Sequence, residues 1–152
     1  MEEIDFGKLL RQTLADMDGE IQKSPYKFKI DIPKEAVMVY ADGDRMYRVF
    51  QNLIGNALKY SLEGSRIYIS LKTEKNAAVA DIRNTSRSEL KQDVDFTARF
   101  TRGDESRTDG GSGLGLSIAK SFTEACGGTF EVETMADLFT VKVSFEQKKC
   151  NV

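Results

Sequence analysis

Within "QNLIGNALKYS", residues 51–61, two asparagines and a lysine interrupt an otherwise apolar run. At ~100° per residue, a helix would gather Arg45, Arg48, Asn52, Asn56 and Lys59 into an arc of about 80°. Met46, Val49, Phe50, Leu53, Ile54, Ala57 and Tyr60 take the opposite and flanking directions. So narrow a stripe predicts a helix buried on most sides, whose polar edge borders something other than bulk core. A merely solvated face favours Glu, Lys, Gln and Arg. Asparagine forms helices poorly, and this stripe holds no carboxylate before Glu63. Neutral amide oxygens are hard ligands that suit Mg²⁺, which prefers oxygen donors and keeps several waters while bridging phosphates. Asn52 and Asn56 stand one turn apart, and Lys59 supplies a point charge for a phosphoryl oxygen. The stripe has the chemistry of a polyphosphate site.

A second stretch fits the same ligand. "TDGGSGLGLSIAK" sets Gly110, Gly111, Gly113 and Gly115 directly before a helical pattern with Leu116, Ile118, Ala119 and Phe122 on its apolar side. Backbone NH groups in such a turn, at the positive end of a helix dipole, bind anions. Spacing excludes two familiar phosphate loops. A P-loop needs Gly-Lys-Ser/Thr, yet no lysine follows these glycines before Lys120; a dinucleotide fingerprint needs a third glycine where Ile118 stands. "DFG" at residues 5–7 has no His-Arg-Asp loop to accompany it, and "NTS" at Asn84 matches a glycosylation sequon by pattern only.

The elements that must hold these two motifs can be read from periodicity. Phe6, Leu9, Leu10, Leu14, Met17 and Ile21 predict one opening helix, capped by Asp5 and ended by "KSP" near Ser24. "YKFKIDI" alternates as a strand, and "AVMVY" follows as a second short one. The asparagine helix starts near Asp42 or Asp44, either of which serves as its cap, and runs to about Tyr60 before "EGS". "RIYISLKT" and "AAVADIRN" predict a hairpin about Lys75 and Asn76. Residues 85–112 are polar, carry Arg87, Arg99, Arg102 and Arg107, and hold only a short helical piece around "DFTARF"; they read as a long mobile loop of the lid kind. A helix over residues 114–125 and the paired strands "GGTFEVET" and "DLFTVKVSFE" close the chain. This order predicts an α+β fold: a two-layer sandwich with a mixed, mostly antiparallel sheet of about five strands packed on three helices.

At 152 residues the chain has the length of a single domain, residues 1–152, able to bury a core without disulfide or metal staples. A net charge of −2 argues against a nucleic-acid footprint. Histidine is absent, which removes zinc-histidine sites, Ser-His-Asp triads and imidazole acid-base chemistry together. Cys126 and Cys150 form no C-x-x-C pair and are expected as free thiols in a reducing compartment. No apolar run reaches the ~18 residues of a membrane span, and the N-terminus lacks signal-peptide regions, so the expectation is a cytoplasmic polypeptide without direct membrane contact.

With these motifs assembled, the chain resembles the catalytic ATP-binding domain of bacterial two-component sensor histidine kinases, within the Bergerat-fold or GHKL superfamily. The likeness covers nearly the whole chain. "DGDRMYRVFQNLIGNALKYS" looks like the family's N box with its lead-in, "FTARFTRGDESR" like its F box and "GGSGLGLSIAK" like its second glycine box. "ACGGTFEVET" is similar to the Gly-Gly strand start that follows. The resemblance implies ATP and Mg²⁺ as cofactors, with Asn56 on the metal, Asn52 and Lys59 on phosphates, and Tyr60 packed against the nucleotide. It further implies that Gly111, Gly113 and Gly115 wrap the phosphates, with Leu114 and Leu116 in the same segment. Arg102 would neutralise γ-phosphate charge, and residues 85–112 would form the ATP lid, with Phe96 and Phe100 packing it onto the body. Asn56, Lys59 and Arg102 are the residues implied to act in transfer. The first glycine box, usually Asp-x-Gly-x-Gly, is replaced by "IRNTSRSEL"; Asn84 takes the place of the Asp that accepts from the adenine amino group, and Asp81 is the second candidate.

Relatives of the gyrase and mismatch-repair kind hydrolyse ATP with a glutamate one turn before the metal-binding asparagine. That position is Asn52 here, and an amide cannot act as general base. The resemblance therefore points to a protein-histidine kinase that donates the γ-phosphoryl group to a histidine on separate dimerisation helices, with a response regulator downstream and a membrane-bound receptor as parent. The alternatives are a GHKL serine kinase of the anti-sigma type and a regulatory nucleotide-binding module.

Overall fold

The computed structural model describes residues 1–88 and 114–147. The chain opens with strand β1 (Glu2–Asp5), helices α1 (Phe6–Asp16) and α2 (Asp18–Lys23), and strands β2 (Lys27–Asp31) and β3 (Met38–Ala41). The long helix α3 (Gly43–Tyr60) follows, then the hairpin β4 (Arg66–Glu74) and β5 (Ala77–Thr85), helix α4 (Leu114–Ala125), and the hairpin β6 (Thr129–Met135) and β7 (Leu138–Glu146). Five strands form one sheet in the order β2-β4-β5-β7-β6, in which only the β2-β4 pair is parallel. A separate ribbon pairs β1 with β3, antiparallel.

This is the expected two-layer α+β sandwich, with two differences of detail. The single opening helix is two, broken at Met17 (φ −98, ψ 9). Asp-Met-Asp-Gly is poor helix-forming sequence; the carboxylate of Asp16, at the end of α1, accepts from Tyr47 Oη (2.7 Å) and Gln12 Nε2 (2.9 Å). That bond to Asp16 also holds the Tyr47 phenol above its ordinary pKa of 10.0. The second difference is β1, whose acidic "EEI" carries no strand signal of its own. It exists because β3 offers an edge: Glu2 pairs with Ala41 and Asp5 with Met38. Asp5 then caps α1 by accepting from Lys8 N at 3.3 Å.

One face of the sheet carries the core. Ile67, Ile69 and Leu71 of β4, Ala78, Ala80 and Ile82 of β5, and Phe139, Val141, Val143 and Phe145 of β7 are all buried beneath the helices. Phe6 of α1 joins the layers at the centre. Its ring lies 5.1 Å from that of Phe50 on α3 and 5.5 Å, edge-on, from Phe145 on β7. Lys75 and Asn76 both have positive φ, 51° and 65°, which is the turn that matches the twist of a two-residue hairpin.

The glycine pair after α4 is explained by the fold. Gly127 N donates to Glu124 O and Gly128 N to Thr123 O, the two bonds of a Schellman cap, and Gly127 takes the left-handed φ of 87° this requires. Gly128 is needed for proximity: a Cβ there would stand 2.7 Å from Phe145 Cζ. No helix among the described residues is long and apolar enough to cross a membrane.

Candidate functional site

Helix α3 starts at Asp42, whose side chain accepts from Asp44 N (3.0 Å) and Arg45 N (3.1 Å), which decides between the two caps left open by sequence. Met46, Val49, Phe50, Leu53, Ile54 and Ala57 are then buried, each large apolar side chain contributing about 1.5–3 kcal/mol. With that face fixed against the sheet, helical geometry leaves the polar stripe on the other edge. Asn52 and Asn56 are half-buried, Lys59 is exposed, and Tyr60 is half-buried at the last turn.

The stripe does not face open water along its length. Helix α4 packs beside α3, with Arg45 lying over the Phe122 ring at 5.6 Å. Asn52 Nδ2 donates to the carbonyl oxygen of Gly115, a long contact of 3.4 Å. Gly115 belongs to the first turn of α4, so the amide stripe and the start of the glycine-led helix are neighbours. Leu116 is buried beneath α4 beside Ala119 and Thr123, whereas Ile118, expected on the apolar side, is 37% exposed. Of the loop expected over residues 85–112, Thr85 instead ends β5, Ser86 bridges Ser61 and Arg87 N donates to Tyr60 O, so this stretch is held to the body by strand pairing; residues 89–112, with Arg102, Arg107, Phe96, Phe100 and Gly111, lie outside the described residues, as do Gly113, Cys150 and the side chain of Leu114.

The far end of the stripe meets β5. Leu62 N donates to Thr85 O (2.8 Å) and Arg87 N to Tyr60 O (3.0 Å), which staples the C-terminus of α3 to the end of the strand. Asn84 lies in this corner, 4% exposed, in the same cross-strand row as Ile67 and Phe139. A buried amide in apolar company needs partners, and Asn84 Nδ2 donates to Ser61 Oγ at 2.9 Å. Asp81 lies three residues back and so points to the opposite face of the sheet, where Arg83 Nη2 is 3.5 Å from its carboxylate. Of the two candidates for the missing aspartate, only Asn84 shares a face with α3.

The donor set fits a cation delivered with phosphates. Among the described residues no group of three or more His, Cys, Asp or Glu could hold a metal unaided. One amide oxygen from Asn56 would leave most coordination positions to phosphate and water, the arrangement Mg²⁺ favours.

A mixed sheet with an amide-bearing helix set against a glycine-led helix start defines a nucleotide-binding domain of the Bergerat type. The family model described as "Histidine kinase-, DNA gyrase B-, and HSP90-like ATPase" matches residues 41–148, and the chain belongs to this family. It is 36% identical over 135 residues to the sensor histidine kinase YcbM of Bacillus subtilis, covering 86% of this chain and 43% of that protein. It is 32% identical over 144 residues to the sensor histidine kinase RppB of Synechocystis, covering 88% of this chain and 32% of that one. The chain spans 12% to 43% of the length of such relatives. In fold it is similar to the nucleotide-free catalytic domain of histidine kinase ThkA, with a TM-score of 0.82, 23% identity and 97% of both chains covered. Full-length ShkA in complex with AMPPNP gives a TM-score of 0.76 at 19% identity, over 98% of this chain and 31% of that one.

Ser61 carries no chemical signal of its own in the sequence. It is a hydroxyl at the end of an otherwise apolar helix turn, 23 residues from the asparagine it contacts; only pairing of α3 with β5 reveals the contact.

Proposed function

We propose that this chain is the catalytic portion of a two-component sensor histidine kinase, binding Mg-ATP and donating its γ-phosphoryl group to a histidine of a separate dimerisation domain. The observation that carries the reading is the Asn52–Gly115 contact. It sets the polar stripe against the glycine-led start of α4, so that phosphates lying between them meet amides and an ammonium on one side and a helix N-terminus on the other.

Within this reading Asn84 accepts from the base, Tyr60 walls the nucleoside, and Asn52 and Lys59 hold phosphate oxygens. Asn56 would hold the cation, which when bound would supply charge neutralisation for the phosphates. Arg102 and the glycines at 111 and 113 would complete the enclosure. Phosphoryl transfer depends mainly on positioning and charge stabilisation, so no general base is needed in this chain, and Asn52 could not serve as one for water. The bond from the γ-phosphorus to the bridging oxygen breaks, a bond to the acceptor imidazole nitrogen forms, and ADP departs. The acceptor lies outside this sequence, which has no histidine. A response regulator downstream and a membrane-bound parent belong to the same proposal.

Calorimetry of ATP binding with and without Mg²⁺ tests the site. The parent chain should bind more tightly with Mg²⁺, and Asn56→Ala should lose that dependence, about tenfold or more in affinity. Unchanged binding would remove Asn56 from the cation. Labelled ATP should then mark a histidine of the dimerisation domain; a labelled serine on an anti-anti-sigma protein would assign the anti-sigma class, and binding with no labelled acceptor would leave a regulatory module.

A further inference from the structure

Ser61 is fully buried where α3 ends, and its hydroxyl oxygen lies 2.5 Å from the carbonyl oxygen of Ala57. A carbonyl oxygen has no hydrogen, so the single hydroxyl hydrogen of Ser61 must lie in that contact. The same hydroxyl oxygen is 2.9 Å from the amide of Asn84 and has only lone pairs left to offer. The Asn84 atom facing it is therefore the NH2 group. Were the amide turned over, two oxygens would face each other in a buried corner with no hydrogen between them. That arrangement is disfavoured about tenfold or more. The corner itself is held by main chain: Leu62 N to Thr85 O, Arg87 N to Tyr60 O, and Tyr26 Oη to Ser61 O at 3.1 Å.

From this chain of bonds we infer that Ser61 is a positioning residue, which locks the Asn84 amide with its oxygen as the limb presented to a bound base and so selects a 6-amino over a 6-oxo purine. The inference rests on the reading that a nucleotide base docks against Asn84. An aspartate at position 84 would present acceptors in either orientation. An asparagine is two-faced and needs an orienting partner to have a preference at all. Ser61 is that partner.

The test compares affinities for ATP and ITP, with Mg²⁺, on the same protein preparation; the ratio is independent of how much of each preparation is folded. The parent chain should prefer ATP at least tenfold. Ser61→Ala frees the amide to turn its NH2 toward a 6-oxo group, and the ratio should fall severalfold toward one. Ser61→Ala combined with Asn84→Asp should restore the preference, because a carboxylate has no donor face; a merely structural serine would not give that rescue. A ratio unchanged in Ser61→Ala, or not restored in the double variant, overturns the assignment. Should the serine variant fail to fold, NMR of the unaltered chain decides: slowly exchanging side-chain NH2 protons of Asn84 are expected, and rapid exchange with water overturns the bond. Absence of binding of either nucleotide by the parent chain would overturn the functional reading itself, a distinct result.

Discussion

Individual side chains in this site are set by what stands behind them. Lys59 is exposed at the last turn of α3, and nothing in the core depends on it. Its replacement should therefore separate binding from stability. Lys59→Ala is expected to weaken ATP binding about tenfold, as loss of one charged hydrogen bond to phosphate, while the unfolding free energy from urea titration stays within about 0.5 kcal/mol of the parent. Calorimetry alongside denaturant titration measures both, and a large loss of stability would show that the ammonium holds the helix end instead. Asn84 is the opposite case, 4% exposed and bonded to Ser61, so its function and its burial cannot be separated by simple deletion. The choice between Asn84 and Asp81, open in the sequence, turns on strand parity alone. Residues three apart on β5 face opposite sides of the sheet, and only one side carries helices.

Among the elements, α3 and α4 do the positioning, and the ends of each are fixed by distinct means. Asp42 caps the start of α3, the β5 staple holds its end, and the Schellman cap at Gly127 turns the chain from α4 into β6. The close approach of Gly128 to Phe145 makes a sharp prediction. In Gly128→Ala the new methyl meets a ring that is itself 4% exposed and packed on Phe6. The cost should be about 1–3 kcal/mol of overpacking, read as a lower urea midpoint with unchanged slope. A neutral result would mean that the strand slides to make room. The element read least well from sequence was the first helix. Its apolar period runs on through Met17, but at the Asp-Met-Asp-Gly step the backbone leaves helical geometry.

At the scale of the whole molecule, one aromatic cluster joins the helical layer to the sheet. Phe6, Phe50 and Phe145 come from α1, α3 and β7 and lie within 5.5 Å of one another in two ring pairs. Phe6→Ala should cost about 3–5 kcal/mol, a large share of the 5–15 kcal/mol typical of a domain, and lower Tm by on the order of 10 °C. Because α3 rests on this cluster, nucleotide affinity should fall with stability in this variant, unlike Lys59→Ala; thermal melts with and without ATP would follow both.

Sequence alone determined the strands other than β1, the amide stripe and the family, because side-chain period and four ordered motifs are local properties written in consecutive residues; that β3 leaves the five-stranded sheet for a ribbon with β1, and that Asp42 rather than Asp44 caps α3, only the packing decided. Periodicity also gave the alternating buried row of Phe139, Val141, Val143 and Phe145. The tertiary structure decided what depends on distance between remote segments. It added β1 through an edge that only β3 provides, set Asn52 against Gly115 across 63 residues, and brought Ser61 to Asn84. A hydrogen bond is directional and short, so which atom of an amide faces a ligand follows from its neighbours in space, and those neighbours are chosen by the packing of helix on sheet.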